Sequence, residues 1–149
     1  MAVSDLLKKT ARTVVTASAD ISVQEAIGLM EKEKVGVLIV LHDDRPVGLF
    51  SIHDCFQLIL DNKPELFGGI ALSEAMTSRL ITARPGEEAD TIRDMMLRAD
   101  IRYLPVIDDG RLSGVVHIQD LMQEQIQILE DELRRLRDYI DDLHEAARD

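Results

Sequence analysis

The feature that most constrains the fold of this chain is an internal repeat, in which residue n matches residue n + 66. Residues 13–57 align with residues 79–123 without a gap. The matched positions include turn and glycine residues as well as apolar ones: Arg45 with Arg111, Gly48 with Gly114, Ile52 with Ile118 and Asp54 with Asp120. The sequence therefore predicts two copies of one unit. A unit of about 55 residues buries too little surface to be stable alone, so the copies must pack together.

Each copy is predicted as strand, helix, strand, hairpin, strand and helix. The predicted segments are a short β-branched strand at Thr13–Thr16 and Leu80–Thr82, a helix after the capping box Ser22–Glu25 or from Ala89 to Arg98, and a buried strand at Val35–Leu41 and Ile101–Ile107. Tight turns follow at His42–Arg45 and at Asp109-Gly110, a strong hairpin signal. A closing helix begins near Ile52 or Ile118. The connection between the copies contains Pro64 and Gly68-Gly69.

Composition excludes several classes of function. A chain of 149 residues with a formal charge of -11 repels polyanions, which argues against nucleic acid or an anionic membrane as partner. The run Val35–Leu41 is far too short to span a bilayer, and the first residues lack a signal-peptide pattern, so we expect a cytoplasmic protein. One cysteine, Cys55, allows no internal disulfide, and four scattered histidines form no metal-ligand motif.

Three segments of the second copy carry a resemblance to a known family: Met76–Thr82, Ile101–Asp108 and Gly114–Asp120. They look like the second half of a CBS domain pair, also called a Bateman module. The first copy is looser, with Val-Leu-Ile-Val where the family usually has Leu-Pro-Val, but it retains Gly48, Ser51 and Asp54. The resemblance covers roughly residues 4–124 and implies a stand-alone bacterial or archaeal CBS-pair protein.

The implied fold is mixed α/β (α+β), with two tandem β-α-β-β-α repeats packed with pseudo-two-fold symmetry and a long C-terminal helix. On this basis we predict a first repeat at 4–62, a linker at 63–71 and a second repeat at 72–124.

Ser51 and Asp54 are the leading candidates for ligand binding. They lie where a buried strand meets a helix, a junction that exposes amide groups and the positive end of a helix dipole. A carboxylate there can accept hydrogen bonds from both hydroxyls of a ribose. In the family this Ser/Thr-x-x-Asp element binds the ribose of adenine nucleotides. The alternative is a helix cap, because Ser-x-x-Asp before an apolar run is also a capping arrangement.

The second copy has Asp120 but carries His117 at the hydroxyl position, so His117 is either a packing residue or a pH-sensitive substitute. The resemblance implies that residues near Thr16 and Thr82 contact the base or sugar, although Thr also suits a strand. It implies that Arg102 contacts phosphates; the alternative is a solvated arginine. The residue that matches Arg102 in the first copy is Gly36.

The closing helix of the second copy is predicted to continue to about Ala146, spanning residues 119–146. Apolar side chains recur alternately four and three residues apart, a heptad pattern typical of a coiled coil: Met122, Ile126, Leu129, Leu133, Leu136, Ile140 and Leu143. Isoleucine or leucine at a and mostly leucine at d favour a parallel two-stranded coil, with Glu132 and Arg137 paired between chains. The alternative is that the helix folds back as an amphipathic lid.

The residues carry no recognisable catalytic or metal-binding motif, so we expect a non-catalytic protein that requires no cofactor. The resemblance implies an adenine-nucleotide-binding regulatory module, with AMP, ADP, ATP or S-adenosylmethionine as candidate ligands. We expect a homodimer, with a separate effector protein as a possible partner. The alternative is a ligand-free oligomerisation or scaffold protein that acts through its C-terminal helix.

Overall fold

The computed structural model describes residues 1–148 and contains two matching α/β units. The first unit comprises β1 (Thr16–Ser18), α2 (Val23–Glu33), β2 (Val37–His42), β3 (Arg45–Ser51) and α3 (Ile52–Asp61). The second comprises α5 (Ala89–Ala99), β4 (Tyr103–Asp108), β5 (Arg111–His117) and α6 (Ile118–Arg148). Helix α1 (Val3–Thr10) precedes the first unit, and a 3-10 helix (Pro64–Gly69) and α4 (Leu72–Ala75) separate the two. The predicted fold class is confirmed.

Helices α2 and α5 bury the same three positions of the repeat. Val23, Ala26 and Met30 are buried in α2, and the residues that match them are buried in α5. Ser22 starts α2 by accepting a hydrogen bond from the Glu25 amide at 3.1 Å. Both helices end at a left-handed residue, Lys34 in α2 and its match Asp100 in α5. The repeat thus preserves helix ends as well as buried faces.

The hairpins also match. β2 pairs antiparallel with β3, and β4 with β5, and both ladders shift register at the same repeat position. The turns Asp43-Asp44 and Asp109-Gly110 have positive φ at both residues, the type I′ geometry that suits a two-residue hairpin. The sequence predicted both turns.

The first strands differ from the prediction. β1 begins at Thr16 and pairs parallel with β2. No strand forms at Leu80–Thr82, where the described structure has only a parallel bridge between Ala83 and Val106. In the first unit the Ile39 amide donates to the Val15 carbonyl at 3.1 Å. The residue that matches Ile39 is Pro105, which has no amide hydrogen to donate, so the strand predicted at 80–82 is wrong.

The helix that precedes each unit, α1 or α4, packs into the core of the other unit. Leu6 of α1 is buried in the core of the second unit, whereas its match Leu72 of α4 is buried in the core of the first. Strands β3 and β5 contact each other between the units. The matching strands β3 and β5 thus face each other, and the matching helices α1 and α4 each pack into the other unit. This reciprocal arrangement relates the two repeats by a pseudo-two-fold axis. The predicted division at 63–71 stays a prediction.

Helix α6 continues without interruption from the end of β5. It has 31 residues, and Leu121 is buried against the second core. The heptad residues from Met122 to Leu143 are between 38% and 55% exposed, so the helix does not fold back as a lid over the body. Within residues 1–148, no helix has both the length and the apolar character needed to cross a membrane.

Candidate functional site

A cleft of about 300 Å³ lies between the two units. We call it the first cleft. Its walls are the segment 12–15 before β1, the segment 33–37 where α2 passes into β2, and Val115 and His117 of β5. The polar lining groups are Arg12, Glu33, Lys34 and His117, together with Thr13. Neither unit forms this cleft alone, and its volume falls at the small end of the range for ligand pockets.

Asp120 does not itself line the first cleft, but it is bound by Arg12, which does. The Arg12 guanidinium donates from Nε to Oδ2 at 2.5 Å and from one terminal nitrogen to Oδ1 at 2.8 Å. The Arg12 side chain is 40% exposed and that of Asp120 only 15%. The hydrogen bond to Asp120 raises the pKa of Arg12 further above its ordinary value. One turn later on α6, Glu124 accepts from Lys9 of α1 at 2.7 Å.

His117 lines the first cleft at the position that the first repeat gives to Ser51. Its half-buried ring meets Tyr103 edge to face, with centroids 5.0 Å apart. Burial, and then the positive charge of Arg12, lower the pKa of His117, so the imidazole is neutral at pH 7. A neutral imidazole offers one donor and one acceptor, which suits a polar ligand.

Ser51 and Asp54 are together, as predicted, and Thr77 joins them. The Ser51 amide donates to Asp54 Oδ2 at 2.9 Å, and the Ser51 hydroxyl donates to the same oxygen at 3.3 Å. The Thr77 hydroxyl donates to Asp54 Oδ1 at 3.1 Å. The arrangement has the geometry of a helix cap and also presents a carboxylate at the start of α3. The sequence reasoning gave Thr77 no role.

The first amide of each closing helix is already paired. The Ile52 amide donates to the Gly36 carbonyl at 3.1 Å, and the Ile118 amide donates to the Arg102 carbonyl at 2.9 Å. These two amides are therefore not available to a phosphate. The expectation that other amides of the first turns bind an anion stays a prediction.

In the described residues, the other predicted site residues form no side-chain hydrogen bond with Asp54 or Asp120. Thr16 is exposed in β1, paired with Ile39, and is not among the residues that line the first cleft. Thr82 lines a separate cleft between the two hairpin turns, near Arg45 and Arg111. Arg102 is exposed just before β4, with its carbonyl at the start of α6. Their predicted ligand contacts stay predictions.

Cys55 does not have the properties of a nucleophile. It is a half-buried free thiol in α3, and burial, followed by the nearby charge of Asp54, raises the pKa of Cys55. A raised pKa keeps the thiol protonated and unreactive. Across residues 1–148, no cluster of three or more histidine, cysteine or acidic residues is placed to hold a metal ion.

Comparison with known proteins identifies the family. The model for the CBS domain matches residues 3–61 and 72–126, which together cover most of the chain. The chain belongs to the CBS domain family. Among curated proteins it is 28% identical over 113 residues to the CBS domain-containing protein YhcV of Bacillus subtilis, covering 76% of this chain and 79% of YhcV. It also matches inosine-5′-monophosphate dehydrogenases, but spans only 21% and 25% of two of them.

Solved CBS structures share the fold, and some of them were determined with adenine ligands. The CBS domain protein PAE2072 from Pyrobaculum aerophilum, complexed with AMP, is 25% identical with a TM-score of 0.73, covering 87% of this chain and 97% of PAE2072. The CBS domain pair of protein MJ0100, in complex with 5′-methylthioadenosine and S-adenosyl-L-methionine, is 27% identical with a TM-score of 0.71, covering 83% of this chain and 94% of that one.

Proposed function

We propose that this CBS pair is a non-catalytic regulatory module that binds an adenine nucleotide between its repeats. The observation that carries the proposal is the first cleft, which both repeats build and which is lined by His117 and by Arg12, the partner of Asp120. The AMP complex of PAE2072 and the MJ0100 complex, both CBS proteins of the same fold, support the ligand class.

Each predicted residue has a proposed task. Asp120, the partner of Arg12, and Asp54 with Ser51 on the opposite repeat, would accept hydrogen bonds from ribose hydroxyls. His117 would contact the ligand as a neutral imidazole. Thr16 and Thr82 would contact base or sugar and Arg102 a phosphate, each after a local rearrangement. Candidate ligands are AMP, ADP, ATP and S-adenosylmethionine, and we retain the cytoplasmic location as a prediction.

The proposal is tested by titrating the purified protein with each ligand and measuring heats of binding and melting temperature. Ligand at about 100 times its dissociation constant stabilises the native state by about 2.7 kcal/mol, and thus raises Tm by roughly 5 to 10 °C for a chain of this size. Asp120→Asn and Asp54→Asn should each weaken binding at one cleft by about tenfold or more, because each removes charge-assisted hydrogen bonds. No response to any ligand would contradict the proposal.

A second candidate function is a ligand-free scaffold. The observation that favours it is that both carboxylates already have partners: Arg12 for Asp120, and Ser51 with Thr77 for Asp54. In this function the exposed heptad face of α6 would hold a second copy or a separate effector protein. The same titrations discriminate the two functions, because a scaffold shows no ligand-dependent shift in Tm.

A further inference from the structure

Arg12 is the one cationic group that both lines the first cleft and binds the Asp120 carboxylate. The fork of its guanidinium engages both oxygens of Asp120. A ribose diol that binds bidentately needs the same two oxygens. A ligand whose ribose reaches Asp120 must therefore displace Arg12 from at least part of this pair.

Displacement has an electrostatic cost that depends on the ligand. Breaking an ion pair in which Asp120 is mostly buried leaves a guanidinium without its counter-charge. Ribose hydroxyls satisfy the carboxylate, but they offer the guanidinium no counter-charge. A phosphate group on the same ligand supplies a bidentate acceptor of the kind that arginine binds best. The other charged residues of the wall are Glu33 and Lys34, and the Lys34 ammonium is already paired with Glu31, so Arg12 is the group that would meet the phosphate.

From this geometry, and on the basis of the proposed function, we infer that Arg12 is the specificity-determining residue of the first cleft and selects phosphorylated adenosines. When such a ligand binds, Arg12 exchanges the Asp120 carboxylate for the ligand phosphate, and Asp120 takes the ribose. Adenosine and 5′-methylthioadenosine are uncharged, so they offer Arg12 no counter-charge and bind more weakly.

The opposite repeat provides an internal contrast. The position that matches Arg12 is Ser78, and Asp54 is held by the amide and hydroxyl of Ser51 and the hydroxyl of Thr77. These donors are neutral, so a ligand that displaces them leaves no positive charge without a counter-charge. The requirement for a phosphate thus belongs to the cleft that contains Arg12, and the two carboxylates of one CBS pair differ in ligand preference.

The test compares AMP, adenosine and 5′-methylthioadenosine by calorimetric titration of the full chain, as wild type and as Asp54→Asn, which removes the carboxylate of the other repeat. We expect AMP to bind at least about tenfold more tightly than either of the others, in keeping with a charge-assisted bidentate contact. Arg12→Gln should reduce the AMP-to-adenosine ratio to near unity, by weakening AMP while leaving adenosine unchanged or slightly tighter.

Two further variants complete the design. Arg12→Lys keeps the charge without the fork and should retain part of the preference, which covers the case in which Arg12→Gln folds poorly. Arg135→Gln on the exposed part of α6 removes one arginine elsewhere and should leave the ratio at its wild-type value. Equal affinity of the wild type for AMP and adenosine, or an unchanged ratio in Arg12→Gln, would overturn the inference while the proposed function stands. Failure of the wild type to bind any of the three ligands would overturn both.

Discussion

Asp54 and Asp120 occupy the same place in their repeats, yet they meet donors of different charge. Asp54 accepts hydrogen bonds from neutral groups of Ser51 and Thr77, whereas Asp120 forms a two-point ion pair with Arg12. A repeat can therefore conserve a carboxylate and still give its two copies different chemistry. The difference arises outside the Ser-x-x-Asp element, in the segment that leads into each repeat.

Protonation of His117 should weaken the fold. Its folded-state pKa is lowered by burial and by Arg12, whereas in the unfolded chain it is near the ordinary value of about 6.5. Above that pH the imidazole is neutral in both states, and its contribution to stability is fully present. As pH falls below it, the unfolded chain takes up the proton first, so the free energy of unfolding decreases until the folded-state pKa is passed.

Urea denaturation at pH 7.5 and 5.5 checks this prediction when wild type is compared with His117→Gln. The variant subtracts the contribution of carboxylates that titrate in the same range. We expect the loss of stability on acidification to be smaller in His117→Gln than in wild type. An identical loss of stability in both proteins would show that protonation of His117 does not change the free energy of unfolding.

The repeat indicates candidate residues at matched positions, but it gives no signal for the partners that Asp54 and Asp120 have in the structure. Asp54, Asp120 and His117 stand out because each occupies a matched motif position. Arg12 matches Ser78 and lies far from Asp120 along the chain, so neither periodicity nor spacing could predict their contact. Thr77 was missed for the same reason: its bond to Asp54 forms only after α4 has packed against the first repeat.

At the scale of elements, local signals predicted most of the boundaries. The turn residues predicted the positions of both hairpins. The heptad spacing predicted the C-terminal end of α6 to within a few residues. The strand at 80–82 failed because its pairing depends on the partner strand, where Pro105 removes a donor. A propensity argument examines one segment at a time and does not include the hydrogen-bonding capacity of its neighbour.

The exposed heptad face of α6 predicts a parallel homodimeric coil. In such a coil Ile140, at an a position, faces Ile140 of a second chain. In a Cys55→Ser background, Ile140→Cys should therefore form a disulfide-linked dimer about tenfold more readily than an outer-face cysteine, because pairing holds the two thiols at high effective concentration. Non-reducing gel electrophoresis after mild oxidation measures the dimer fraction.

The matched control is Asp138→Cys, which lies on the opposite face of the same turns and should cross-link slowly. Efficient dimer formation by Asp138→Cys, or none by Ile140→Cys, would contradict the parallel arrangement. Sedimentation of the unmodified chain adds an independent measurement of its oligomeric state.

For the whole molecule, the crossing of α1 and α4 makes each repeat depend on the other's leading segment. Two glycines at matching positions allow the crossing. A Cβ on Gly114 would lie 2.8 Å from a methyl carbon of Leu7 in α1, and one on Gly48 would lie 2.8 Å from the Thr77 carbonyl oxygen. At Gly48 the near atom belongs to the backbone, so docking there requires a residue without a side chain, whereas at Gly114 a Cβ would have to displace the end of the Leu7 side chain.

Gly48→Ala should accordingly lower the free energy of unfolding by about 1 to 3 kcal/mol, the usual cost of overpacking a well-packed contact. Gly28→Ala is the matched control, because Gly28 lies within α2 and a Cβ there meets nothing within 4 Å. The control should gain about 0.5 to 1 kcal/mol from helix propensity. Thermal denaturation followed by circular dichroism measures both, and equal effects of the two substitutions would contradict the packing argument.

The uninterrupted run of α6 from Asp120 gives the protein a mechanical lever. A helix of 31 residues is roughly 46 Å long at 1.5 Å per residue. If its base rotated by only about 5°, the far end would sweep roughly 4 Å, close to the width of a side chain. A rearrangement too small to disturb the body would thus be magnified at the tip, where a bound protein could sense it.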